Sequence, residues 1–361
     1  MRKINILLFS LFLFVATAAN IWAGNRDRAG QAGATELLIN PWGQSGGFHG
    51  MNSSTVKGIE AMRSNVGGLA FLNKTQVVFA NSQYLKGSDI SINAFGFAQR
   101  IGEGSVIGLS MMSMGFGEIP ITTIDAPEGN SGATFRPQLL NVSIGYARSF
   151  SESIHVGFMG TLVNESISDV KASGICMDMG IQYVTGKDNN MHFGIALRNI
   201  GTPMRFSGDG MAIQLTSPQG YNLTVQQRSE KFEMPSQLNI GAGYDFLLAA
   251  KKHRITLLAN FTSNSFTKDF IGGGLEYAYK EMFMLRGGYR YENGISGSLN
   301  PNERSSAYTG LSAGVSVNVP LKKDGPRIGV DYSFKASNPY QGTHTLGVRL
   351  DLAASPDLET E

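Results

Sequence analysis

The sequence predicts an all-β protein, a transmembrane antiparallel β-barrel of about 14 strands with a small N-terminal plug. Three observations predict this fold. Segments of roughly ten residues alternate apolar with small or polar side chains, the period and length of a tilted membrane strand. The connections between many of these segments are short on one side and long on the other. The composition, with 45 Gly and 16% charged residues, contains no internal apolar run long enough for a membrane helix.

The clearest strand pair covers residues 270–291. One face of both strands is mostly apolar or aromatic, and the other carries small residues with Glu276, Arg286 and Arg290. A soluble β-sandwich would bury the apolar face in a core, whereas a membrane barrel turns it to lipid and places the charges in a wet lumen. Four tyrosines near the strand ends favour the membrane, where interfacial girdles are rich in Tyr. They are Tyr277, Tyr279, Tyr289 and Tyr291.

The composition also excludes several classes of function. The single Cys176 rules out an intramolecular disulfide framework and argues against a thiolate metal site, and the five histidines have no ligand-like spacing. Arg2 and Lys3 account for the whole formal charge of +2, so no basic field for nucleic acid is predicted. No catalytic triad or paired-carboxylate arrangement stands out. We therefore predict no enzyme activity, no cofactor and no metal.

The first part of the chain divides into two segments. Residues 1–23 are predicted to be a secretory signal peptide, with a charged start and an apolar stretch too short for a stop-transfer helix. Cleavage after Ala19 and cleavage after Ala23 both remain open, and a membrane anchor is the alternative. Residues 24–74 are Gly-rich, polar and not strand-like, and are too short to build a core of their own. We interpret them as a plug, with a short helix near 56–63.

The barrel is predicted over residues 75–352, followed by a polar tail at 353–361. Clean alternation is seen, for example, where Ile328, Val330, Tyr332 and Phe334 oppose Gly329, Asp331 and Ser333. The predicted strands are 75–85, 89–101, 104–116, 136–149, 153–165, 174–184, 190–200, 236–248, 253–263, 268–279, 282–292, 307–319, 326–336 and 343–352.

The lengths of the connections argue for an outer-membrane barrel. A short turn follows every even-numbered strand except the last. The long loops, at 117–135, 201–235 and 292–306, all follow odd-numbered strands. Outer-membrane barrels have short periplasmic turns and long external loops, and a soluble sandwich has no reason to sort its loops in this way. If the short turns are periplasmic, an even number of strands places both termini beside them, and the plug is predicted to start there as well. The long loops are the predicted docking sites for partners, because loops on a rigid scaffold commonly carry function.

Several short motifs resemble a known family. Residues 37–39 together with 46–51 are similar to its N-terminal Gly- and Met-containing turn, and residues 65–69 resemble its Asn-Pro-Ala-Gly-Leu motif, with Val66 in place of the usual Pro. Further segments are resembled, in the same order and spacing, by residues 196–203, by 274–277 with 285–289, and by 330–334 with 343–345. On these motifs the chain resembles the PorV/PorQ family of Bacteroidetes outer-membrane proteins, which are barrels related to the FadL fatty-acid transporter.

The resemblance implies a 14-stranded barrel with an N-terminal plug and a non-enzymatic role in type IX secretion. Its implied partners are outer-membrane lipid together with the translocon, attachment-complex proteins or cargo that carries a shared C-terminal domain. The resemblance gives one set of candidate site residues, and the inward-facing charges of the predicted strands give a second. The plug-motif residues are Gly47, Gly50, Met51, Asn65, Gly67 and Gly68. The lumen polar residues are Arg198, Glu276, Arg286, Arg290, Asp331, Arg349 and Asp351.

Three interpretations of individual features stay open. The lumen charges either bind a polar ligand or pair with one another and with the plug. The predicted strand 104–116 is apolar on both faces, so Met112 and Met114 contact either the plug or an apolar ligand. The glycine runs 241–243 and 272–274 lie in strands without a following helix, so we interpret them as places of close backbone approach or bending, and not as phosphate loops.

Three functional hypotheses follow. The first is a protein-binding barrel of the type IX secretion apparatus in the outer membrane. The second is a FadL-like transporter of hydrophobic small molecules, which the plug and the apolar inner strand would suit. The third is a soluble exported β-protein.

Overall fold

The computed structural model describes residues 28, 30–129, 132–249, 251–298, 304, 306–322 and 325–352. The predicted signal peptide at 1–23 and the predicted tail at 353–361 lie outside these residues. Within the described ranges, no helix has the length and apolar content needed to cross a membrane. The strands are β1 (Thr75–Tyr84), β2 (Ile90–Ile101), β3 (Ser105–Gly115), β4 (Ile119–Pro120), β5 (Thr134–Phe135), β6 (Gln138–Ser149), β7 (Ile154–Ile167), β8 (Val170–Thr185), β9 (Met191–Gly201), β10 (Ala212–Thr216), β11 (Asn222–Gln226), β12 (Gln237–Leu248), β13 (His253–Asn264), β14 (Phe270–Tyr279), β15 (Phe283–Glu292), β16 (Tyr308–Pro320), β17 (Arg327–Ser337) and β18 (Thr343–Asp351).

Fourteen of the described strands close into an antiparallel barrel, which confirms the predicted fold class. β1 pairs with β18, with Gln76 opposite Asp351, so the barrel has no free edge. The remaining described strands form two small hairpins, β4–β5 and β10–β11, inside long connections. Alternation along each barrel strand turns large apolar side chains such as Phe79, Ile144 and Leu285 outward.

The two ends of the barrel differ, and we name them by their connections. The short-turn end carries the turns 102–104, 150–153, 186–190, 249–252, 280–282 and 321–326, and the long-loop end carries the loops 116–137, 202–236 and 293–307. The sorting is incomplete, because β7 and β8 are joined at the long-loop end by residues 168–169 alone. These are the two longest strands of the barrel, with 14 and 16 residues.

Residues 30–74, which we call the plug, fill the lumen. They contain a four-residue α-helix at Gly43–Gly46 and 3₁₀ turns at Thr35–Leu38, Gly58–Arg63 and Val66–Phe71. Large plug side chains pack on small inward-facing residues of β1, β2, β3 and β6. The plug thus fills the space that the small wall residues leave in the lumen. The main core cluster includes Trp42, Ile59, Met62, Val66 and Leu69 of the plug with Val78, Ala80, Ala94, Ala98, Val106 and Ala147 of the wall.

The plug runs through the lumen from one end of the barrel to the other. Near its start, Ala32 forms a bridge with Glu233 in a loop of the long-loop end. Near its finish, the carbonyl of Leu72 accepts a hydrogen bond of 3.2 Å from Arg100 at the short-turn end, where β1 begins. The first described residues therefore lie at the opposite end from Asp351, in contrast to the expectation that the plug starts beside the short turns. The positions of the termini themselves stay a prediction.

Candidate functional site

The first plug motif lies where the plug meets β14 and β16. A β-carbon on Gly47 would lie 3.2 Å from Cα of Gly314, so only glycine allows this approach without a shift. Gly50 has a φ of +80°, a conformation that side chains disfavour. Met51 is buried and packs directly on Gly272. These three residues have structural reasons for their identity within the plug.

The second plug motif ties the plug to its own backbone and to β8. The Asn65 amide nitrogen donates to the carbonyl oxygens of Ser53 at 2.8 Å and Ile181 at 3.0 Å. Its amide oxygen accepts from the backbone N–H of Gly67 at 3.1 Å. A β-carbon on Gly67 would lie 2.9 and 3.0 Å from carbonyl oxygens of the wall, and Gly68 lies against the backbone of the plug. Irregular buried backbone must find hydrogen-bond partners, and Asn65 supplies three of them.

Glycines on the inner face of the barrel allow the plug to come close to the wall. Gly241 and Gly272 both lie against plug atoms. This confirms that the two glycine runs are places of close approach. Met112 is buried, and its sulfur lies 3.1 Å from the Arg63 guanidinium, so the apolar inner face of β3 contacts the plug. The inner glycines at which a β-carbon would meet the plug are Gly96, Gly108, Gly145, Gly157, Gly180, Gly194, Gly241, Gly243, Gly272, Gly274, Gly288 and Gly314.

Glu60, which no sequence motif marks, holds the centre of the plug together. Its two carboxylate oxygens accept from the backbone N–H groups of Gln44 at 3.1 Å and Ser45 at 2.8 Å, and from the Ser45 hydroxyl at 2.7 Å. Burial raises the pKa of Glu60, and the nearby Asp331 carboxylate raises it further. The side chain thus caps the start of the Gly43–Gly46 helix from inside the plug.

A continuous row of polar side chains lines the wall at mid-height and toward the short-turn end. Its centre is the predicted pair Glu276 and Arg286, which are opposite residues of β14 and β15 and are hydrogen-bonded. Arg254 on β13 binds the other oxygen of Glu276 at 2.8 Å. Beyond it, Arg254 lies 3.8 Å from Asp245 on β12, and Asp245 lies 2.9 Å from His192 on β9.

The row continues in the other direction. Arg286 also donates to Ser316, whose hydroxyl donates to Asp331. Arg349 lies 3.5 Å from Asp331 and 3.1 Å from Asp351. Asp351 accepts from Gln76 of β1 at 2.7 Å, and Gln76 in turn accepts from the backbone N–H of Ile59 in the plug at 2.7 Å.

We call this row the polar belt, and it runs from β9 through β12–β18 to β1. It contains five of the predicted lumen residues, and its charges pair with one another and with the plug, since Gln44 donates to Asp331 at 3.1 Å. Arg254, Asp245, His192 and Ser316 were missed because each is a single polar residue within an alternating strand. Buried ion pairs are costly unless their geometry is good, so the belt fixes the position of the plug more than it stabilises the fold.

Arg290 lies apart from the belt, toward the long-loop end. Its guanidinium is 3.6 Å from Glu292 and stacks over the ring of Phe270 at 4.9 Å. His49 of the plug packs edge-on against Tyr308, at 5.0 Å between ring centroids. Burial lowers the pKa of His49, and the positive charge of Arg290 adds to this effect. Both effects favour the neutral form of His49.

Arg198 also lies toward the long-loop end, where it joins the plug to the wall. It donates to the carbonyl of Leu37 at 3.0 Å, and its guanidinium lies 3.7 Å from Asp178. The next residue, Asn199, has a φ of 58° and bulges out of β9. Its N–H donates to Asp178 at 2.7 Å and its side chain to the carbonyl of Pro235 at 3.0 Å. The 196–203 motif therefore anchors the loop 202–236 to the barrel.

Two carboxylates meet at the start of the plug. Glu36 is 1% exposed, and burial together with the nearby Glu165 carboxylate raises the pKa of Glu36 to about 7. The Asn141 amide, in the orientation that satisfies both neighbours, donates to Glu36 at 3.3 Å and accepts from Arg63 at 3.1 Å. One oxygen of Glu36 has no hydrogen-bond partner among the described residues.

An apolar cluster closes the long-loop end over these groups. Leu37 of the plug packs with Met204 and Met234 from the loop 202–236, and Phe206 and Phe232 cover the cluster from outside. Arg28 adds an ion pair of 2.9 Å with Glu233 in the same loop, and its guanidinium lies over the ring of Phe266 at 4.2 Å. The loop thus acts as a cover for the start of the plug.

The same loop also presents the hairpin β10–β11, in which every residue is exposed. Ile213 is opposite Val225, and Leu215 is opposite Leu223, so one face of the hairpin is apolar and about half of each leucine is exposed. Cross-strand neighbours on the other face, such as Gln214 and Thr224, are polar. Alternation on both sides of Ser217-Pro218-Gln219-Gly220 was the sequence signal for this hairpin.

These features define a class of protein: a closed barrel with an apolar outer surface, a plugged lumen and elaborated loops at one end. A family model described as the type IX secretion system membrane protein PorP/SprF matches residues 128–328, more than half of the chain. The chain belongs to this family. The type IX secretion system predicted from the resemblance is therefore confirmed. The family that matches is PorP/SprF, and PorV/PorQ membership is not shown.

Solved structures share the fold at low sequence identity. The toluene transporter TodX of Pseudomonas putida has a TM-score of 0.56 at 14% identity, over 86% of this chain and 97% of TodX. The toluene transporter TbuX of Ralstonia pickettii has a TM-score of 0.53 at 14% identity, over 87% of this chain and 99% of TbuX. A TodX deltaS2S3 mutant, a monoaromatic hydrocarbon channel, gives 0.57 at 15%, over 88% and 100%. No curated protein matches the sequence.

Proposed function

We propose that this barrel is a non-enzymatic docking component of the type IX secretion system, and that it works with its lumen closed. The observation that carries the proposal is the plug, whose largest side chains are fully buried against the wall. Among the described residues, a cavity of about 250 Å³ lies between the short turns at the rim, and one of about 290 Å³ lies on the outer wall beside Ile144, Phe158 and Met177. A barrel without a path for solute acts through its surfaces.

We place the short turns in the periplasm and the long loops outside the cell, because outer-membrane barrels are built in this way. The loop 202–236 then presents the β10–β11 hairpin to partners at the cell surface. Its exposed apolar face is continuous across both strands, which suits burial against another protein. The partner class is a translocon subunit, an attachment-complex protein or a cargo protein, and a role in shuttling cargo belongs to the same proposal.

The second candidate is a transporter of hydrophobic small molecules. The fold shared with TodX and TbuX supports it only at the level of architecture, since one fold hosts many functions. The more specific support is the apolar cluster around Met204, Met234 and Phe232, which would suit an apolar ligand if the loop opened. Transport would require the plug to move.

The test is affinity purification of the tagged full chain from outer membranes in mild detergent, followed by mass spectrometry. One variant, Leu215→Ser with Leu223→Ser, makes the apolar face of the hairpin polar. A matched control, Gln214→Ser with Thr224→Ser, changes the opposite face of the same strands. We expect secretion-system proteins to co-purify with the natural chain and with the control, and to be lost from the first variant.

Other results would contradict the docking proposal. Recovery of the barrel alone, with bound apolar small molecules, would favour the transporter. Equal recovery of partners by both variants would place docking elsewhere than on the hairpin. Each barrel's shift in mobility between heated and unheated gel samples serves as the check that it is folded.

A further inference from the structure

A buried group of basic side chains lies toward the long-loop end of the lumen, apart from the polar belt. It consists of Arg290 on β15, Lys335 on β17 and His49 of the plug. Lys335 is 5% exposed and His49 is 9% exposed, and the Arg290 side chain is 14% exposed. Besides burial, the charges of Arg290 and Lys335 both lower the pKa of His49, so both cations lie near its imidazole.

The positive charge of this group is only partly compensated. A carboxylate oxygen of Glu292 lies 3.6 Å from the Arg290 guanidinium, which is too far for a hydrogen bond. Lys335 forms no ion pair with a described residue, and its amine donates to the carbonyl oxygen of Asn40 at 3.1 Å. A buried charge is costly unless a group of opposite charge accompanies it. The group therefore carries an excess positive charge that the described residues do not balance.

The strand register places Glu292 on the far side of Arg290 from the lysine. Lys335 is the paired neighbour of Ser312, and Ser312 is the paired neighbour of Gly288 on β15. Gly288 precedes Arg290 by two residues, whereas Glu292 follows Arg290 by two residues toward the long-loop end. Glu292 therefore does not separate the two cations.

The group also holds polar atoms without a hydrogen-bond partner in the described part of the chain. They include Nε2 of His49 and Nε of Arg290, both inaccessible to solvent. The Lys335 ammonium has three N–H donors, of which the Asn40 carbonyl takes one. Buried polar groups are nearly always satisfied, and an ion is one of the partners that satisfy them where the protein supplies none. Unfilled donors around excess positive charge suit an oxyanion.

We propose that a small oxyanion, of the class of phosphate, sulfate or a carboxylate, binds between Arg290 and Lys335 beside Nε2 of His49. Guanidinium and ammonium groups are the protein donors that such anions prefer. In the tautomer with its proton on Nε2, the imidazole donates a third hydrogen bond. The anion then joins the plug to β15 and β17. The inference is independent of the proposed docking function, and a free anion and the phosphate of a lipid headgroup share the chemistry it requires.

The first test is thermal unfolding of the purified, delipidated full chain in detergent, with increasing sulfate and with sodium chloride added to keep the ionic strength constant. Sulfate is the probe because its charge does not change near neutral pH. We expect the midpoint to rise by about 2 °C at a sulfate concentration ten times the dissociation constant, since a ligand that binds only the folded protein stabilises it. An unchanged midpoint would overturn the proposal.

Lys335→Met removes one cation and nearly keeps the length of the side chain. The midpoint of this variant should not respond to sulfate. Without sulfate it should be equal to that of the natural chain or higher, because the substitution removes a buried charge that has no ion-pair partner among the described residues. A response to sulfate equal to that of the natural chain would contradict the site.

Lys86→Met is the matched control. Lys86 is exposed at the same end of the barrel, in the connection between β1 and β2. This variant should keep the full response to sulfate. Loss of the response in Lys86→Met would mean that sulfate acts through the general charge of the long-loop end, and the proposal would be wrong.

Selenate, a heavier analogue of sulfate, gives a test that needs no variant, because anomalous scattering locates it in a crystal of the natural chain. We expect it between Arg290 and Lys335, and selenate found only elsewhere would overturn the proposal. Mass spectrometry before delipidation tells the two sources of the anion apart. A phosphate-bearing lipid that co-purifies with the natural chain and not with Lys335→Met identifies a lipid headgroup, and the same lipid content in both identifies a free anion.

Discussion

At the residue scale, Gly157 marks a close approach of the plug backbone to the wall. A β-carbon there would lie 2.5 Å from the carbonyl oxygen of Val66 and 2.9 Å from the N–H nitrogen of Gly67. Both are backbone atoms, so no side chain can rotate away. We expect Gly157→Ala to destabilise the plugged barrel by about 1–3 kcal/mol, the usual cost of overpacking. The measurement is the midpoint of thermal unfolding in detergent.

Gly160 in the same strand is the matched control. It faces outward, and a β-carbon there would meet no atom within 4 Å. Gly160→Ala should leave the midpoint unchanged or slightly raised, since alanine restricts the unfolded chain. If both substitutions have the same effect, the plug does not press against β7.

The raised pKa of Glu36 predicts that the stability of the folded barrel depends on pH. Its folded pKa of about 7 lies above the ordinary value of 4.5, so its contribution to stability is fully present below about pH 4.5 and is lost as the pH rises through about 7. The shift corresponds to roughly 3 kcal/mol. We expect Glu36→Gln to raise the unfolding midpoint at pH 8 and to leave it unchanged at pH 4.5. If Glu36→Gln changes the unfolding midpoint equally at pH 8 and at pH 4.5, the Glu36 carboxyl is solvated.

The sequence predicted some of these residues and not others, for physical reasons. Gly47, Gly67 and Gly68 stood out because close packing against backbone demands glycine, and that demand is visible as a motif. Glu36 and Glu60 did not stand out. Their roles depend on contacts with residues that are distant in sequence, and no local pattern in the plug predicts those contacts.

At the element scale, the polar belt can be tested through Arg286. This side chain binds Glu276 on one side and Ser316 on the other, and all three are buried. Arg286→Met takes the partner from one oxygen of the buried Glu276 carboxylate, while Arg254 keeps the other at 2.8 Å. We therefore expect a loss below the roughly 3–5 kcal/mol typical of a buried charge left without any partner, but above about 1 kcal/mol. Unfolding in denaturant, monitored by the loss of β-sheet circular dichroism, measures the change.

The double variant Arg286→Met with Glu276→Leu shows how much of the lost stability comes from the Glu276 charge that Arg286→Met leaves behind. It removes both charges and leaves Arg254 paired with Glu281. We expect most of the lost stability to return, since the cost of Arg286→Met comes from the Glu276 oxygen that has lost its partner. A loss below about 1 kcal/mol in the single variant would mean that water screens the belt, which would contradict a closed lumen.

Elements were predicted more fully than residues. All fourteen barrel strands were located, and most of their ends agree within two residues, because period-2 alternation and turn composition are local signals. β8 begins four residues earlier than predicted, where alternation is weak. The hairpins β4–β5 and β10–β11 were missed. Alternation around residues 217–220 does signal the second hairpin, but strands of five residues give only a short periodic pattern. The course of the plug through the lumen depends on contacts distant in sequence.

At the scale of the whole molecule, the fold and the contents of the lumen point to different functions. The barrel shares its architecture with hydrocarbon channels, yet the plug contacts inner glycines on most strands and is tied to the polar belt. Architecture alone does not assign function. Whether the plug moves is therefore the property that separates a docking barrel from a transporter.

A reversible lock tests that property. In Gly46→Cys with Ser333→Cys, the two β-carbons start about 3.0 Å apart, and a small shift reaches the spacing of about 3.5–4.5 Å that a disulfide requires. Cys176→Ala removes the natural thiol. A docking barrel should recover the same partners whether the lock is oxidised or reduced, because its surfaces are unchanged. A transporter should lose uptake of apolar compounds on oxidation and regain it on reduction. Partner binding that depends on the lock would contradict a static plug, and uptake that depends on it would overturn the docking proposal.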